Sequence, residues 1–137
     1  MTFMDTSYLL ALLNQRDQWH TRAIQWKVNL SSKGEPLITT EFVLLELLNA
    51  LSSVAWRRAA WDTRGDLLRN PLVTVIGVEA GLHARGLQSY ERYRDKSWSL
   101  TDCTSFLVME DQGVKEALTA DQHFVQAGFR ALLLESP

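Results

Sequence analysis

The chain has 137 residues, of which 46% are hydrophobic and 22% are charged. This length and composition predict one globular domain spanning residues 1–137, and they exclude a disordered chain. The formal net charge is −2. The protein therefore has no overall attraction for nucleic acid, and any such contact must come from a local basic patch.

Cysteine content and the length of the apolar runs predict a cytoplasmic protein without a membrane anchor. Cys103 is the only cysteine, so no disulfide can form within the chain. The longest apolar run, residues 42–51, is too short to cross a bilayer and is interrupted by Glu46 and Asn49. Because Asp5 comes before any apolar segment, the N-terminus does not resemble a signal peptide.

The first half of the chain alternates between short apolar segments and longer segments with helical periodicity. These segments predict, in chain order, a strand at residues 2–4, a helix capped by Thr6 or Ser7, a helix from about 17 to 30, a strand at 36–39 and a helix from 41 to about 56. Thr40 is predicted to cap the last helix, because its hydroxyl can accept a hydrogen bond from a free backbone N–H.

The second half continues the alternation and contains the clearest strand. Residues 72–78 form a nearly continuous β-branched run, which is typical of a strand buried on both faces. The other predicted elements are helices at 59–69, at 79–94 with Leu82, Leu87, Tyr90 and Tyr93 buried, and from about 101 to 111, and strands at 116–119 and 131–134. This alternation predicts an α/β domain with a mainly parallel sheet.

Four acidic residues border or interrupt apolar runs, namely Asp5, Glu46, Asp102 and Asp121. A buried carboxylate is unfavourable unless it is paired, protonated or bound to a cation. Parallel α/β sheets bind ligands beyond the carboxyl ends of their strands, where these side chains can converge. Two bare carboxylates about 4 Å apart repel by roughly 4 kcal/mol at an effective dielectric constant near 20. Four converging acids therefore predict a divalent cation between them.

Each acid also has an ordinary structural interpretation when it is taken alone. Asp102 and Asp121 are suited to cap helices, and Asp5 is suited to the turn at a strand end. Glu46 is the hardest to explain in this way, because most faces of its helix carry apolar residues. If the acids do converge, their oxygen ligands favour Mg²⁺ or Mn²⁺, and such a site suits phosphodiester hydrolysis.

At these acidic positions the chain resembles PIN-domain proteins, specifically the VapC-type toxins of bacterial type II toxin–antitoxin pairs. The resemblance rests on the segments FMDTSYLLALLN, LITTEFVLLELLNAL, DKSWSLTDCTSF and ALTADQHFVQAGF, and it covers essentially the whole chain. It implies a three-layer α/β/α sandwich with a central, mainly parallel sheet of about five strands.

The same resemblance implies a Mg²⁺- or Mn²⁺-dependent endoribonuclease. Its catalytic and metal-binding residues would be Asp5, Glu46, Asp102 and Asp121, of which Asp5 and Asp102 would hold the metal most directly. The partners it implies are an RNA substrate, a cognate antitoxin protein and a second copy of the chain in a homodimer.

Several other residues are candidates for supporting roles. Thr6, Ser7 and Thr119 lie beside the proposed site and can donate hydrogen bonds to the acids, although a turn role is equally ordinary. Ser99 and Thr101 precede Asp102 and can hydrogen-bond its carboxylate or cap its helix, of which capping is the ordinary role. His123 is interpreted as packing near the site rather than as catalytic. Two basic groups are candidates for RNA contact, with a solvated helix face as the ordinary alternative: Arg57 and Arg58 beside Trp56 and Trp61, and Arg85, Arg92, Arg94 and Lys96.

The sequence leaves other functions open. A housekeeping enzyme of RNA processing would use the same chemistry, and a neighbouring gene for a DNA-binding partner would distinguish the two. Phosphoacceptor signalling modules also hold Mg²⁺ in an acidic pocket, but they need a lysine late in the chain, and none follows Lys115. The four acidic positions argue against a catalytically inactive binding subunit.

Overall fold

We describe a computed structural model of the protein that covers residues 1–137. Five strands form its sheet: β1 (Thr2–Met4), β2 (Leu37–Thr40), β3 (Val73–Ile76), β4 (Glu116–Leu118) and β5 (Arg130–Ala131). Seven α-helices connect them: α1 (Thr6–Leu13), α2 (His20–Ser32), α3 (Glu41–Ala50), α4 (Val54–Arg69), α5 (Ala80–Arg92), α6 (Leu100–Gln112) and α7 (Gln122–Gln126). No helix combines the length and the apolar character that crossing a membrane requires.

The five strands are all parallel and lie in the order β3-β2-β1-β4-β5. The central strand is β1, whose Phe3 pairs with Ile38 of β2 on one side and with Ala117 of β4 on the other. The strand order therefore reverses at β1. In parallel sheets a crevice for ligands opens at this reversal, beyond the carboxyl ends of the two neighbouring strands.

Helices cover both faces of the sheet, which confirms the predicted three-layer α/β/α architecture. Successive side chains of a strand point to opposite faces. Phe3 packs toward α7, with its ring centroid 6.2 Å from that of Phe124, whereas Met4 lines a cavity with residues of α1, α2 and α4. Both β1 side chains are at most 1% exposed, and each such burial stabilises the fold by about 1.5–3 kcal/mol.

Three predicted elements differ most from the structure in their bounds. The predicted helix from 41 to 56 ends at Ala50, and α4 begins at Val54, five residues before the predicted helix at 59–69. Two consecutive serines, Ser52 and Ser53, separate them, and serine favours helix caps over helix interiors. The predicted strand at 131–134 is confined to β5, because Leu132–Leu134 form a 3₁₀ turn.

The strand β3 lies at the edge of the sheet, so the prediction that it is buried on both faces was wrong. It pairs only with β2. Thr74 is exposed, and the other three side chains are half-buried. A β-branched run fits any half-buried pleated surface, so composition alone does not distinguish an edge strand from a central one.

Only one of the four predicted anchors of α5 is buried. Leu82 is 7% exposed, whereas Leu87, Tyr90 and Tyr93 are at least 36% exposed. The buried stripe of α5 instead runs through Leu82 and Gly86. The missing side chain of Gly86 allows a close approach of α6, because a Cβ there would lie 2.6 Å from Cγ2 of Thr104.

Gly86→Ala should lower the free energy of unfolding by about 1–3 kcal/mol, the usual cost of overpacking. Thr104 is fully buried, and its hydroxyl donates to the carbonyl oxygen of Thr101 at 2.8 Å, so it has little freedom to move aside. The helix preference of alanine, about 1 kcal/mol, offsets part of this cost. Urea unfolding measures the change.

Gly81→Ala is the matched control in the same helix. A Cβ at Gly81 has no atom within 4 Å, so this variant should gain about 0.5–1 kcal/mol of stability. Equal stability of the two variants would contradict the close contact between α5 and α6.

Candidate active site

Asp5 lies at the carboxyl end of the central strand, and it is only 5% exposed. Its Oδ2 accepts hydrogen bonds from the hydroxyls of Ser7 at 3.0 Å and Thr119 at 2.8 Å. Asp5 occupies the N-cap position of α1, where Thr6 or Ser7 was predicted, but its side chain makes no capping bond. Its carboxylate is therefore directed at the site rather than at the helix.

Burial raises the pKa of Asp5 to about 6. Hydrogen bonds from Thr119, the Thr6 backbone and Ser7 act in the opposite direction, and the negative charge of Asp102 adds to the rise. The charged form of Asp5 is thus disfavoured, and a bound cation would stabilise it.

Asp102 occupies the third position of α6 and takes part in a capping box with Ser99. The Ser99 hydroxyl accepts the Asp102 N–H, and Asp102 Oδ2 accepts the Ser99 N–H, both at 3.0 Å. Ser99, rather than Thr101 or Asp102, is thus the N-cap. Burial raises the pKa of Asp102, the Ser99 N–H opposes this effect, and the charge of Asp121 adds to it.

Asp121 and His123 lie where the chain passes from β4 into α7. Asp121 Oδ1 accepts the His123 N–H at 2.8 Å and so caps the helix. The Nδ1 atom of His123 lies 3.1 Å from Asp102 Oδ2 and 3.4 Å from Asp121 Oδ1. Ligand atoms of these three residues all lie within 4.8 Å of one another. The histidine therefore bridges two of the predicted acids.

Thr119 connects the two halves of the site. It is fully buried, and its hydroxyl donates to Asp5 and accepts the N–H of Asp121 at 3.0 Å. One hydroxyl thus fixes the distance between the end of β1 and the turn after β4. Ser7 and Thr119 both make the hydrogen bonds to Asp5 for which the sequence made them candidates.

Glu46 is not part of this close group. It lies on α3 and is half-buried. None of the hydrogen bonds made by the three aspartate side chains involves Glu46, and the compact cluster of ligand atoms does not include it. That Glu46 completes the site therefore stays a prediction.

The oxygens of the three aspartates suit a divalent cation. Protein groups hold one oxygen of each carboxylate, namely Oδ2 of Asp5, Oδ2 of Asp102 and Oδ1 of Asp121. No side chain donates to the other oxygen of any of them. Hard oxygen donors on fixed side chains are the ligands that Mg²⁺-like cations prefer, and buried carboxylates of raised pKa gain most from such an ion.

His123 lies within the site and not merely near it. Its side chain is 29% exposed, and its ring nitrogen contacts both acids. The sequence did contain a signal for this placement of His123. The residue lies two positions after Asp121 at the start of a helix, and at that position its ring points back toward the capping residue. Cys103, next to Asp102, is 2% exposed, and burial raises the pKa of its thiol. Both properties are those of a packing residue rather than a nucleophile.

Sequence comparison identifies the class of protein. A model of the PIN domain matches residues 2–130. The chain is 33% identical over 129 residues to the 23S rRNA-specific endonuclease VapC20 of Mycobacterium tuberculosis, covering 94% of this chain and 95% of that protein. It is 25% identical over 134 residues to a VapC ribonuclease of Aquifex aeolicus, covering 96% of each.

Structural comparison agrees. The crystal structure of M. tuberculosis VapC20, described as a sarcin–ricin loop cleaving toxin, matches with a TM-score of 0.81 and 32% identity, covering 94% of this chain and 96% of that one. FitAcB from Neisseria gonorrhoeae matches with a TM-score of 0.66 and 17% identity, covering 96% of each chain, and shares the fold.

The chain belongs to the PIN-domain family, whose fold is that of nucleases. Within this family its likeness to the VapC-type endoribonuclease toxins, first inferred from four acidic segments, is confirmed over nearly the whole chain.

Proposed function

We propose that this protein is a toxin that hydrolyses RNA at a Mg²⁺ or Mn²⁺ site formed by Asp5, Asp102 and Asp121, with Glu46 as the fourth acid. The observation that carries the proposal is the convergence of carboxylates from distant parts of the chain. Asp102 and Asp121 share one cluster of ligand atoms, and the Thr119 hydroxyl bonds both the Asp5 carboxylate and the Asp121 N–H. Two of these acids, Asp5 and Asp102, are buried, and their negative charge is unfavourable unless a cation compensates it.

The protein residues would divide the remaining tasks by position. A bound divalent cation would supply a water of lowered pKa and stabilise charge on the phosphate. Ser7 and Thr119 hold Asp5 in one orientation, and the capping box does the same for Asp102. The Nδ1 atom of His123 lies 3.1 Å from Asp102 Oδ2, so the ring helps to hold that carboxylate in place.

The proposed substrate is ribosomal RNA. The named activity of VapC20, a relative at 33% identity, supports this choice. Because the net charge is −2, RNA must meet a local positive surface. Of the basic residues predicted for RNA contact, four form ion pairs with acids, namely Arg58, Arg85, Arg94 and Lys96, whereas Arg57 and Arg92 form none. These two remain available for phosphate.

The proposed partners are a cognate antitoxin and a second copy of the chain, in the cytoplasm. An exposed apolar surface supports a protein partner, since such patches mark interaction sites. Val54 is 92% exposed and Trp61 is 58% exposed, and both line a cleft between the end of α3 and α4 together with Arg57 and Arg58.

The purified protein should cut 23S rRNA at a single loop in Mg²⁺ or Mn²⁺ and should be inactive in excess EDTA, because the acids need a cation to activate water. Primer extension on purified bacterial ribosomes locates the cut. Cleavage that persists in EDTA would contradict the metal site. Cleavage spread evenly over unrelated RNA would contradict the ribosomal substrate but not the nuclease.

A further inference from the structure

A second pocket lies beside the acidic site, between α5, α6 and the end of α7. Its volume is about 380 Å³, which is at the lower end of the range for small-ligand sites. Aromatic rings, cations and polar groups share its lining, which includes Arg92, Tyr93, Lys96, Trp98, Glu110 and Gln126. We call this cavity the aromatic pocket.

Two connections tie the aromatic pocket to the acids. Trp98 immediately precedes Ser99, whose backbone N–H donates to Asp102 Oδ2. The indole Nε1 of Trp98 donates to Gln126 Oε1 at 3.1 Å, and Gln126 ends the short helix that also carries His123. The wall of the pocket is thus built partly from the start of α6, which carries Asp102, and from the far end of the short helix α7, which Asp121 caps.

The aromatic rings form a platform that is fixed on its inner side. Trp98 contacts the buried ring of Phe106 edge-on, with centroids 5.0 Å apart and planes at 79°. Tyr93 lies 5.0 Å from Trp98 and is 36% exposed. The guanidinium carbon of Arg92 lies 5.4 Å from the Tyr93 ring centroid. A planar nucleobase takes the same place when it stacks on a tyrosine.

The positive charge of the aromatic pocket is available to a ligand. Arg92 forms no ion pair and is exposed, so it can leave the Tyr93 ring for a phosphate. Lys96 contacts only its neighbour Asp95, at 3.5 Å. By contrast, Arg94, which lies just beyond the end of α5, is paired with Glu91. Of the two cations that line the pocket, Arg92 is therefore the one without an ion pair.

The polar groups of the aromatic pocket suit the edge of a base. Glu110 is an acceptor on the surface of α6, and the Gln126 amide carries both donors and an acceptor. A carboxylate repels phosphate but accepts hydrogen bonds from the N–H groups of a base. This combination of stacking surface, rim cations and edge partners is that of a nucleotide site rather than of an apolar groove.

We propose that the aromatic pocket binds one unpaired nucleobase of the RNA substrate, next to the phosphodiester that is cut. The base stacks on Tyr93 and Trp98, Arg92 contacts the adjoining phosphate, and Glu110 bonds the base edge. The inference rests on the proposed ribonuclease function. It also explains why the target must be a loop, since bases in an RNA duplex are not free to stack on protein rings.

RNA binding by the Asp5→Asn protein tests the proposal without cleavage. The probe is a short unstructured RNA that carries 2-aminopurine, whose fluorescence changes when it stacks, and anisotropy gives the dissociation constant. Tyr93→Ala in this background should weaken binding by about 5- to 100-fold, the range for losing one base–aromatic stack. Tyr93→Phe should restore it. Tyr90→Ala is the matched control, because Tyr90 lies on the same helix, is 56% exposed and is outside the pocket.

A second pair of variants tests the phosphate contact. Arg92→Gln should reduce the slope of log Kd against log salt concentration by about 0.7, the value for one contact to single-stranded nucleic acid. Arg94→Gln should leave the slope unchanged, since its guanidinium is paired with Glu91. Identical slopes for the two variants would remove Arg92 from the RNA path and overturn this part of the proposal.

The possible results distinguish a failure of the base-binding proposal from a failure of the proposed ribonuclease function. Equal affinities of the Tyr93→Ala and Tyr90→Ala variants would overturn the pocket, while metal-dependent cleavage by the parent would still support the nuclease. Loss of antitoxin binding with unchanged RNA binding would assign the pocket to a protein partner and would likewise overturn it. Absence of any cleavage by the parent would refute the ribonuclease, and the stacking signal would still decide what the pocket binds.

Discussion

Asp5→Asn should lower the rate of RNA cleavage by at least about a hundredfold and leave the fold intact. The amide oxygen of asparagine can accept both hydrogen bonds that Ser7 and Thr119 donate to Oδ2. The negative charge that helps to hold the cation is lost, however, and a catalytic metal contributes several kcal/mol to the barrier. Gel-based cleavage of 23S rRNA in Mg²⁺ measures the loss. Cleavage at the parental rate would remove Asp5 from the site.

The same substitution should stabilise the metal-free protein at neutral pH. Folding raises the pKa of Asp5 from 3.8 to about 6, so the folded state binds more protons than the unfolded state between these values. The parent therefore loses stability as the pH rises through this window, by about 3 kcal/mol in all. Urea unfolding in EDTA should show the variant more stable at pH 7.5, with a difference that disappears near pH 4.

Asp111→Asn provides the control for both effects. Asp111 lies near the end of α6, is exposed and pairs with Arg85, so its loss should cost less than about 1 kcal/mol and leave cleavage unchanged.

Added Mg²⁺ should raise the unfolding free energy of the parent and of Asp111→Asn, because a ligand of the folded state stabilises it. The Asp5→Asn protein should respond much less. Equal responses would place the cation elsewhere.

Expression of the protein without an antitoxin should arrest bacterial growth, and Asp102→Asn should abolish the arrest. The asparagine oxygen can still accept a hydrogen bond from the Ser99 N–H, so the capping box and the N-terminus of α6 should remain intact. What the variant lacks is the charge beside Asp121 and His123. Colony counts after induction measure toxicity, with immunoblots to show equal protein levels.

The Asp111→Asn protein, changed in the same way on the same helix, should remain as toxic as the parent. Equal toxicity of the parent and Asp102→Asn would show that the arrest does not come from nuclease action. A parent that cleaves RNA in vitro but leaves growth unaffected would favour the housekeeping alternative.

The sequence predicted those elements whose ends carry a local signal. The strand β1 ends before Asp5, Thr40 caps α3 through a bond to the Val43 N–H, and Gly113 ends α6 with a φ of +66°. The edge position of β3 and the buried stripe of α5 through Gly86 follow from tertiary contacts instead. No local periodicity encodes which helix will pack against a glycine.

The residues of the candidate site likewise fall into those that local sequence predicts and those that depend on tertiary packing. Asp5, Asp102 and Asp121 were predictable because each follows a strand or opens a helix, and parallel strands bring such positions to one edge. The distance of Glu46 from that edge depends on how α3 packs on its neighbours, which the sequence does not state. His123 enters the site through the orientation of its ring at a helix start, and the choice of Ser99 over Thr101 as the cap of α6 depends on side-chain geometry that the residue types do not determine.

The pairing of β1 with β4 joins opposite ends of the chain, since Phe3 and Met4 lie beside Ala117 and Leu118. During synthesis the first of these segments leaves the ribosome early and lacks its β4 partner until Glu116–Leu118 emerge. Thr119 cannot reach Asp5, nor Asp121 its neighbours, before then. A partial chain without β4 therefore lacks the hydrogen bonds that join Asp5, Thr119 and Asp121, and the candidate site forms only after β4 has paired with β1.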